Sequence, residues 1–177
     1  AQCLVGSEMC IRDRMKNLML LMKKAKARNE QELFVVEGRK MFQEVPEEWL
    51  KQVYVSESFF AENDKMLAGY TYEIVSDSVF KAVSDTQTPQ GILCLVRKPQ
   101  YRLEELLKGA DTHLLILESI QDPGNLGTML RTGEGAGISG VVMNHTTVDL
   151  FNPKTIRSTM GSISVSYTHL SCRRTLG

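Results

Sequence analysis

Between Glu118 and Thr132 the chain reads Glu-Ser-Ile-Gln-Asp-Pro-Gly-Asn-Leu-Gly-Thr-Met-Leu-Arg-Thr. Two residues in this stretch could handle a sugar or an oxyanion. Asn125 carries an amide that both donates and accepts hydrogen bonds. Arg131 carries a guanidinium that stays protonated and forks onto phosphate. Gly124 and Gly127 let a ligand come close to the backbone. The stretch lies where an apolar strand hands over to a helix, the carboxyl edge at which α/β sheets bind ligands. Asn125 can also cap that helix. Arg131 follows six residues later, about 1.7 helical turns, so it projects from another face and reaches back only by its length. A plain capped turn carrying a surface arginine has the same spacing, and spacing alone leaves both readings open.

Further along, Asn152 to Ser162 places Arg157 and Ser158 in a second loop-and-helix segment. Near the start, Met15 to Arg28 holds five basic residues, Lys16, Lys23, Lys24, Lys26 and Arg28, and no acidic one. Such a cluster is a candidate phosphate footprint; a solvated helix face would carry the same charges. Gly135 to Gly140 fits G-x-G-x-x-G, but it closes a helix and leads into a strand, the reverse of a dinucleotide-binding turn. It reads as a helix cap. His113, His145 and His169 have no partner in the sequence. Cys3, Cys10, Cys94 and Cys172 show no metal or redox spacing; Cys94 reads as a small buried hydrophobe. No metal site is expected, and the cysteine usage points to a reducing, cytoplasmic setting without disulfides.

The elements that must position these residues alternate. Met15, Leu18, Met19, Met22 and Ala25 form one apolar helical stripe. Strands are expected at Leu33–Val36, Gln52–Val55, Tyr72–Val75 and Gly91–Val96, with helices at Arg39–Val45, Glu57–Leu67 and from a Ser76 cap through Ala82. Phe34, Tyr54, Tyr72 and Phe80 read as core positions, and Trp49 as packing. A linker with Pro99 follows. Then come a helix over Arg102–Lys108, a strand over His113–Glu118, the helix from Asn125 to Ala136, a strand over Gly140–Met143, and a loop and helix over Phe151–Met160. This second region is short for a parallel sheet covered on both faces, and an apolar face left bare would be an aggregation risk.

The composition is that of an ordinary globular protein, with 42% hydrophobic and 24% charged residues and a net charge of zero among 177. No apolar run reaches the ~18 residues of a membrane span. Residues 1–14 and 164–177 break the pattern beside them and resemble translated non-native sequence. The expected organisation is a non-native leader at 1–14, a first α/β region at 15–98, a linker at 99–101, a second α/β region at 102–163, and a non-native tail at 164–177.

The stretch Asp122 to Gly137 resembles the first motif of the SpoU (TrmH-type) family of RNA 2'-O-ribose methyltransferases, which has an Asn at the position of Asn125 and an Arg at that of Arg131. Asn152 to Ser162 resembles the family's Arg-x-Ser-x-Gly-Ala signature, with Ser162 in place of the usual Ala. Residues 31–96 resemble its N-terminal substrate-binding domain, similar in fold to a small ribosomal protein; the piece Val79 to Gly91 is typical. The resemblance implies an α/β protein: a small ribosomal-protein-like RNA-binding domain, then the first part of a knotted (SPOUT-type) α/β methyltransferase domain. It implies methyl transfer from S-adenosylmethionine to a ribose 2'-hydroxyl of RNA by a homodimer; the N-terminal domain favours ribosomal RNA, with transfer RNA as the alternative substrate. Arg131 would be the central catalytic residue, positioning the target phosphate and stabilising the developing alkoxide. Asn125 would hold Arg131 or the ribose. Arg157 and Ser158 would contact the RNA backbone or brace the site, and Lys23, Lys24, Lys26 and Arg28 would bind RNA. The family's third motif, which supplies much of the donor site, is absent here. The donor-binding segment is therefore expected beyond Ser162, and this chain by itself is expected to be inactive. The competing reading is a non-catalytic RNA-binding protein of ribosomal-protein type.

Overall fold

A computed structural model describes residues 2–100, 107, 111–162 and 169–172. The first sheet runs in the order β1-β4-β2-β3, built from β1 (Leu33–Glu37), β2 (Leu50–Ser56), β3 (Tyr72–Val75) and β4 (Ile92–Arg97). β4 pairs antiparallel with both β1 and β2, while β2 and β3 are parallel. The parallel pair needs a crossover, and α4 (Glu57–Asn63) supplies it. Ser56 starts that helix by accepting a hydrogen bond from the Phe59 N–H. Ser76 caps α5 (Asp77–Val83) in the same way through Val79, as the sequence predicted.

Side chains of a strand alternate between faces, and here each face has its own cover. Leu33, Val35, Tyr54, Leu93 and Leu95 pack beneath Met15, Leu18, Leu21 and Met22 of α1 (Gln2–Lys23) and beneath Phe80 and Val83 of α5. Phe34, Val36, Val53, Val55, Ile92, Cys94 and Val96 point the other way. There they meet Met41 and Phe42 of α3 (Arg39–Glu44) and a set of residues from the second half of the chain. Burial among these side chains pushes the Cys94 thiol far above its ordinary range, which leaves it inert.

The second half forms a three-stranded parallel sheet, β5 (Leu114–Leu117), β6 (Gly140–Asn144) and β7 (His169–Cys172), in that order. α6 (Pro123–Gly135) connects β5 to β6, and α7 (Pro153–Thr159) follows β6. Leu117, Leu126, Leu130, Val141, Met143, Leu150, Phe151 and Ile156 join Phe34 and Val36 in one continuous core. The Phe34 and Phe151 rings lie 4.8 Å apart. Each fully buried Leu in this junction stabilises it by about 1.5–3 kcal/mol. The two expected domains thus share an apolar core. The opposite face of the second sheet is open at Ile116, which is 74% exposed.

Three expectations meet a different structure. α1 begins at Gln2, well before Met15; Ile11 extends the apolar stripe by one turn, and Arg14 pairs with Glu73 at 3.1 Å. β7 lies beyond the expected boundary at 163 and pairs along β6. Tyr72 is not a core residue: it is 37% exposed, with its ring 5.6 Å from that of Phe60. The helix expected over 102–108 lies outside the described residues except at Leu107, which forms a turn.

Candidate active site and RNA interface

α6 starts at the carboxyl edge of β5. Asp122, not Asn125, is its cap: the Asp122 carboxylate accepts from the Asn125 backbone N–H at 2.7 Å, and Pro123 takes the first helical position, where no N–H is needed. The Asn125 amide is thereby free. It is exposed, as is Arg131, and neither side chain has a hydrogen bond or ion pair among the described residues. The buried positions Leu126, Gly127, Leu130 and Gly133 fix which side of α6 faces the core. Thr128 and Arg131, three residues apart, share the outward side.

The two loops at this edge are tied to each other. Asn144, the last residue of β6, accepts from the Ser119 N–H at 2.9 Å and from the Thr147 hydroxyl at 2.8 Å. The Ser119 and Thr146 hydroxyls lie 2.7 Å apart, and the Gln121 amide donates to the Thr146 carbonyl at 2.7 Å. Ser119 sits at φ 56, a left-handed conformation that costs a non-glycine residue of order 1–3 kcal/mol and persists only where its surroundings fix it. Here the fixing comes from Asn144 and Thr146.

Gly127 is where α6 touches α7. A β-carbon there would collide with the Ser158 side chain and backbone. The Ser158 hydroxyl donates to the Pro123 carbonyl at 3.0 Å and the Thr155 carbonyl at 2.7 Å. The Ser158 hydroxyl thus links α7 to the first turn of α6. Arg157 reaches into the first domain, where its Nη2 meets Asp85 at 2.9 Å. The loop carrying Asp85 is itself fixed, because the buried Glu37 carboxylate accepts from the Ser84 and Thr86 hydroxyls and the Asp85 N–H.

The expected RNA contacts separate into two groups. Lys23, Lys24 and Lys26 are exposed around the junction of α1 and α2 (Ala25–Gln31). Lys26 makes a 3.7 Å surface pair with Glu30, too exposed to hold it. Arg28 is a correction. It is 2% exposed, and its Nε and Nη2 bind the Asp149 carboxylate at 2.8 and 2.7 Å. Its Nη1 donates to the Leu21 and Met22 carbonyls. Arg28 cannot reach solvent phosphate, because α2 turns it inward to join the two halves of the molecule.

Sequence reasoning missed Asn144, Asp85, Asp149 and Lys98. Asn144 ends a strand at the ligand-binding edge, a signal that could have been read. The partners of Asp85 and Asp149 lie 72 and 121 residues away, and no local pattern reports such pairs.

A strand-to-helix edge carrying an exposed Asn and Arg, packed on a small α/β region through a shared core, defines a two-part α/β protein. Residues 112–173 match the SpoU rRNA Methylase family, and residues 12–94 match the MRM3-like substrate binding domain. By that match the second part of the chain is of the SpoU rRNA methylase family. It is 34% identical to the Bacillus subtilis 23S rRNA (guanosine(2553)-2'-O)-methyltransferase RlmP, over 77% of this chain and 54% of that protein. It is 33% identical to human mitochondrial rRNA methyltransferase 3, over 84% of this chain and 37% of that protein. An AdoMet-bound rRNA methyltransferase from Sinorhizobium meliloti superposes with a TM-score of 0.72 at 25% identity, over 88% of this chain and 60% of that one. The chain spans about half or less of the length of these two curated relatives.

Proposed function

We propose that the complete protein methylates a ribose 2'-hydroxyl in ribosomal RNA. The observation that carries this reading is the pair of uncommitted side chains, Asn125 and Arg131, on α6 at the carboxyl edge. In this reading Arg131 holds the phosphate beside the target ribose. Its fixed positive charge stabilises the oxygen as the 2'-hydroxyl loses its proton. Asn125 orients the ribose or the guanidinium. Lys23, Lys24 and Lys26 add phosphate contacts on the first domain, and Arg157 adds one when released from Asp85.

S-adenosylmethionine is the proposed methyl donor. The described residues do not by themselves fit it: the polar groups of Ser119, Gln121, Asn144, Thr146 and Thr147 are spent on one another. The donor would be held by segments other than these. The complete enzyme is proposed to act as a homodimer in the cytoplasm; no helix among the described residues is long and apolar enough to cross a membrane.

The test is Arg131→Ala in the complete enzyme. Methylation falls by a factor of about 100 or more, the scale of losing one transition-state donor, while RNA affinity falls by no more than about tenfold, the scale of one phosphate contact. Unchanged methylation removes Arg131 from the mechanism. A non-catalytic RNA-binding protein would bind RNA and transfer no methyl group in either form.

A further inference from the structure

A groove of about 400 Å³ lies between α2 and the loop after β6. Its walls come from both halves of the chain: Asn29 and Lys98 on one side, Asn144, His145, Thr147 and Phe151 on the other. We propose that this groove is a subsite for a phosphate of the RNA strand flanking the target ribose, with Lys98 as its anchoring cation. The proposal deepens the reading of the substrate as RNA and rests on it.

Lys98 is placed rather than loose. Its Nζ donates to the Asn29 side-chain oxygen at 2.8 Å and lies 4.6 Å from the centre of the Phe151 ring. An ammonium has three donors, so two remain after Asn29. Lys98 forms no ion pair among the described residues. The carboxylate on the groove wall, Asp149, is already engaged by Arg28 and by the Phe151 N–H. Burial holds the Lys98 amine below the usual lysine range, with Asp149 and Glu32 opposing that shift and Arg28 adding to it. A half-desolvated ammonium lacking its own carboxylate gains more from an incoming anion than a surface lysine does.

The chemistry selects phosphate over a base. Phe151 is only 6% exposed and lies under the lysine, so no base can stack on it. Ala25, which lies between the exposed Lys24 and Lys26 in sequence, lines the α2 side of the groove. On its other side the groove is lined by Asn144 and Thr147, and Asn144 also holds Ser119. A strand whose phosphate sits on Lys98 therefore passes beside the carboxyl-edge loops.

The experiment titrates a fluorescently labelled ribosomal RNA stem-loop with the 177-residue chain at several salt concentrations. Lys98→Met keeps the stem and removes the charge. Asn29→Asp changes an exposed residue and places a carboxylate beside the amine. Each lowers affinity about tenfold, the scale of one lost charge-assisted contact, and makes the salt slope shallower by about one. Lys98→Arg keeps most of the affinity. Thermal unfolding midpoints near that of the parent chain show that Asn29→Asp is folded. If both Lys98→Met and Asn29→Asp bind with the parent's affinity and slope, the subsite is wrong and RNA binding elsewhere stands. If the parent chain fails to bind RNA at low salt, the subsite and the RNA reading fall together.

Discussion

Arg28→Met separates a structural arginine from an RNA contact. The substitution keeps an apolar stem and removes both bonds to Asp149 and both bonds to the Leu21 and Met22 carbonyls. Removing one partner of a buried ion pair costs about 3–5 kcal/mol. The Asp149 side chain is 23% exposed and regains some hydration, so the lower end, about 3 kcal/mol, applies. For a chain of this size each kcal/mol moves the unfolding midpoint by about 2–4 °C, a drop of about 6–12 °C in all. Circular dichroism melts of Arg28→Met, Asp149→Asn and the double variant measure this. The double variant falls short of additivity by about 2 kcal/mol, because the pair can be broken only once. A midpoint within about 2 °C of the parent's, together with a shallower salt slope for RNA binding, would return Arg28 to the RNA surface and refute the inward placement.

Other outcomes follow from the same geometry. Gly127→Ala pushes a methyl into Ser158 and separates α6 from α7, a destabilisation of about 1–3 kcal/mol, read from the denaturant midpoint. Asp85→Asn releases Arg157 and raises RNA affinity up to about fivefold at low salt, the worth of one exposed ion pair; the gain disappears in the Arg157→Gln background, which a binding titration checks. Lys98 gives stability a pH dependence. Its pKa is lowered in the folded chain, so between that value and the ordinary lysine range the unfolded chain binds more protons. Stability therefore rises with pH through that window. Lys98→Met removes this slope in denaturant titrations at several alkaline pH values, and a slope that persists would assign it to another group.

Much of the fold is legible in the chain because its signals are local. The short apolar runs at Leu33–Val36 and Gly91–Val96 and the Ser76 cap each report on neighbouring residues. The candidate site is legible as a strand-to-helix edge carrying Asn125 and Arg131 for the same reason. The freedom of the Asn125 amide was not legible, because it depends on Asp122 taking the cap. The inward turn of Arg28 was hidden too. Five basic residues without an acid read as one surface, and only the packing of α2 against Asp149 divides them. The groove at Lys98 is a product of two segments meeting, and neither segment announces it.

The central claim is methylation at the ribose oxygen, and alkaline hydrolysis tests it most directly. The complete enzyme is incubated with ribosomal RNA and methyl-labelled S-adenosylmethionine, and the product RNA is hydrolysed in alkali. A 2'-O-methyl group blocks cleavage of the adjacent phosphodiester, so the account predicts the label in an alkali-resistant dinucleotide, greatly reduced with Arg131→Ala. Label recovered in a mononucleotide, as methylation on a base gives, would contradict it.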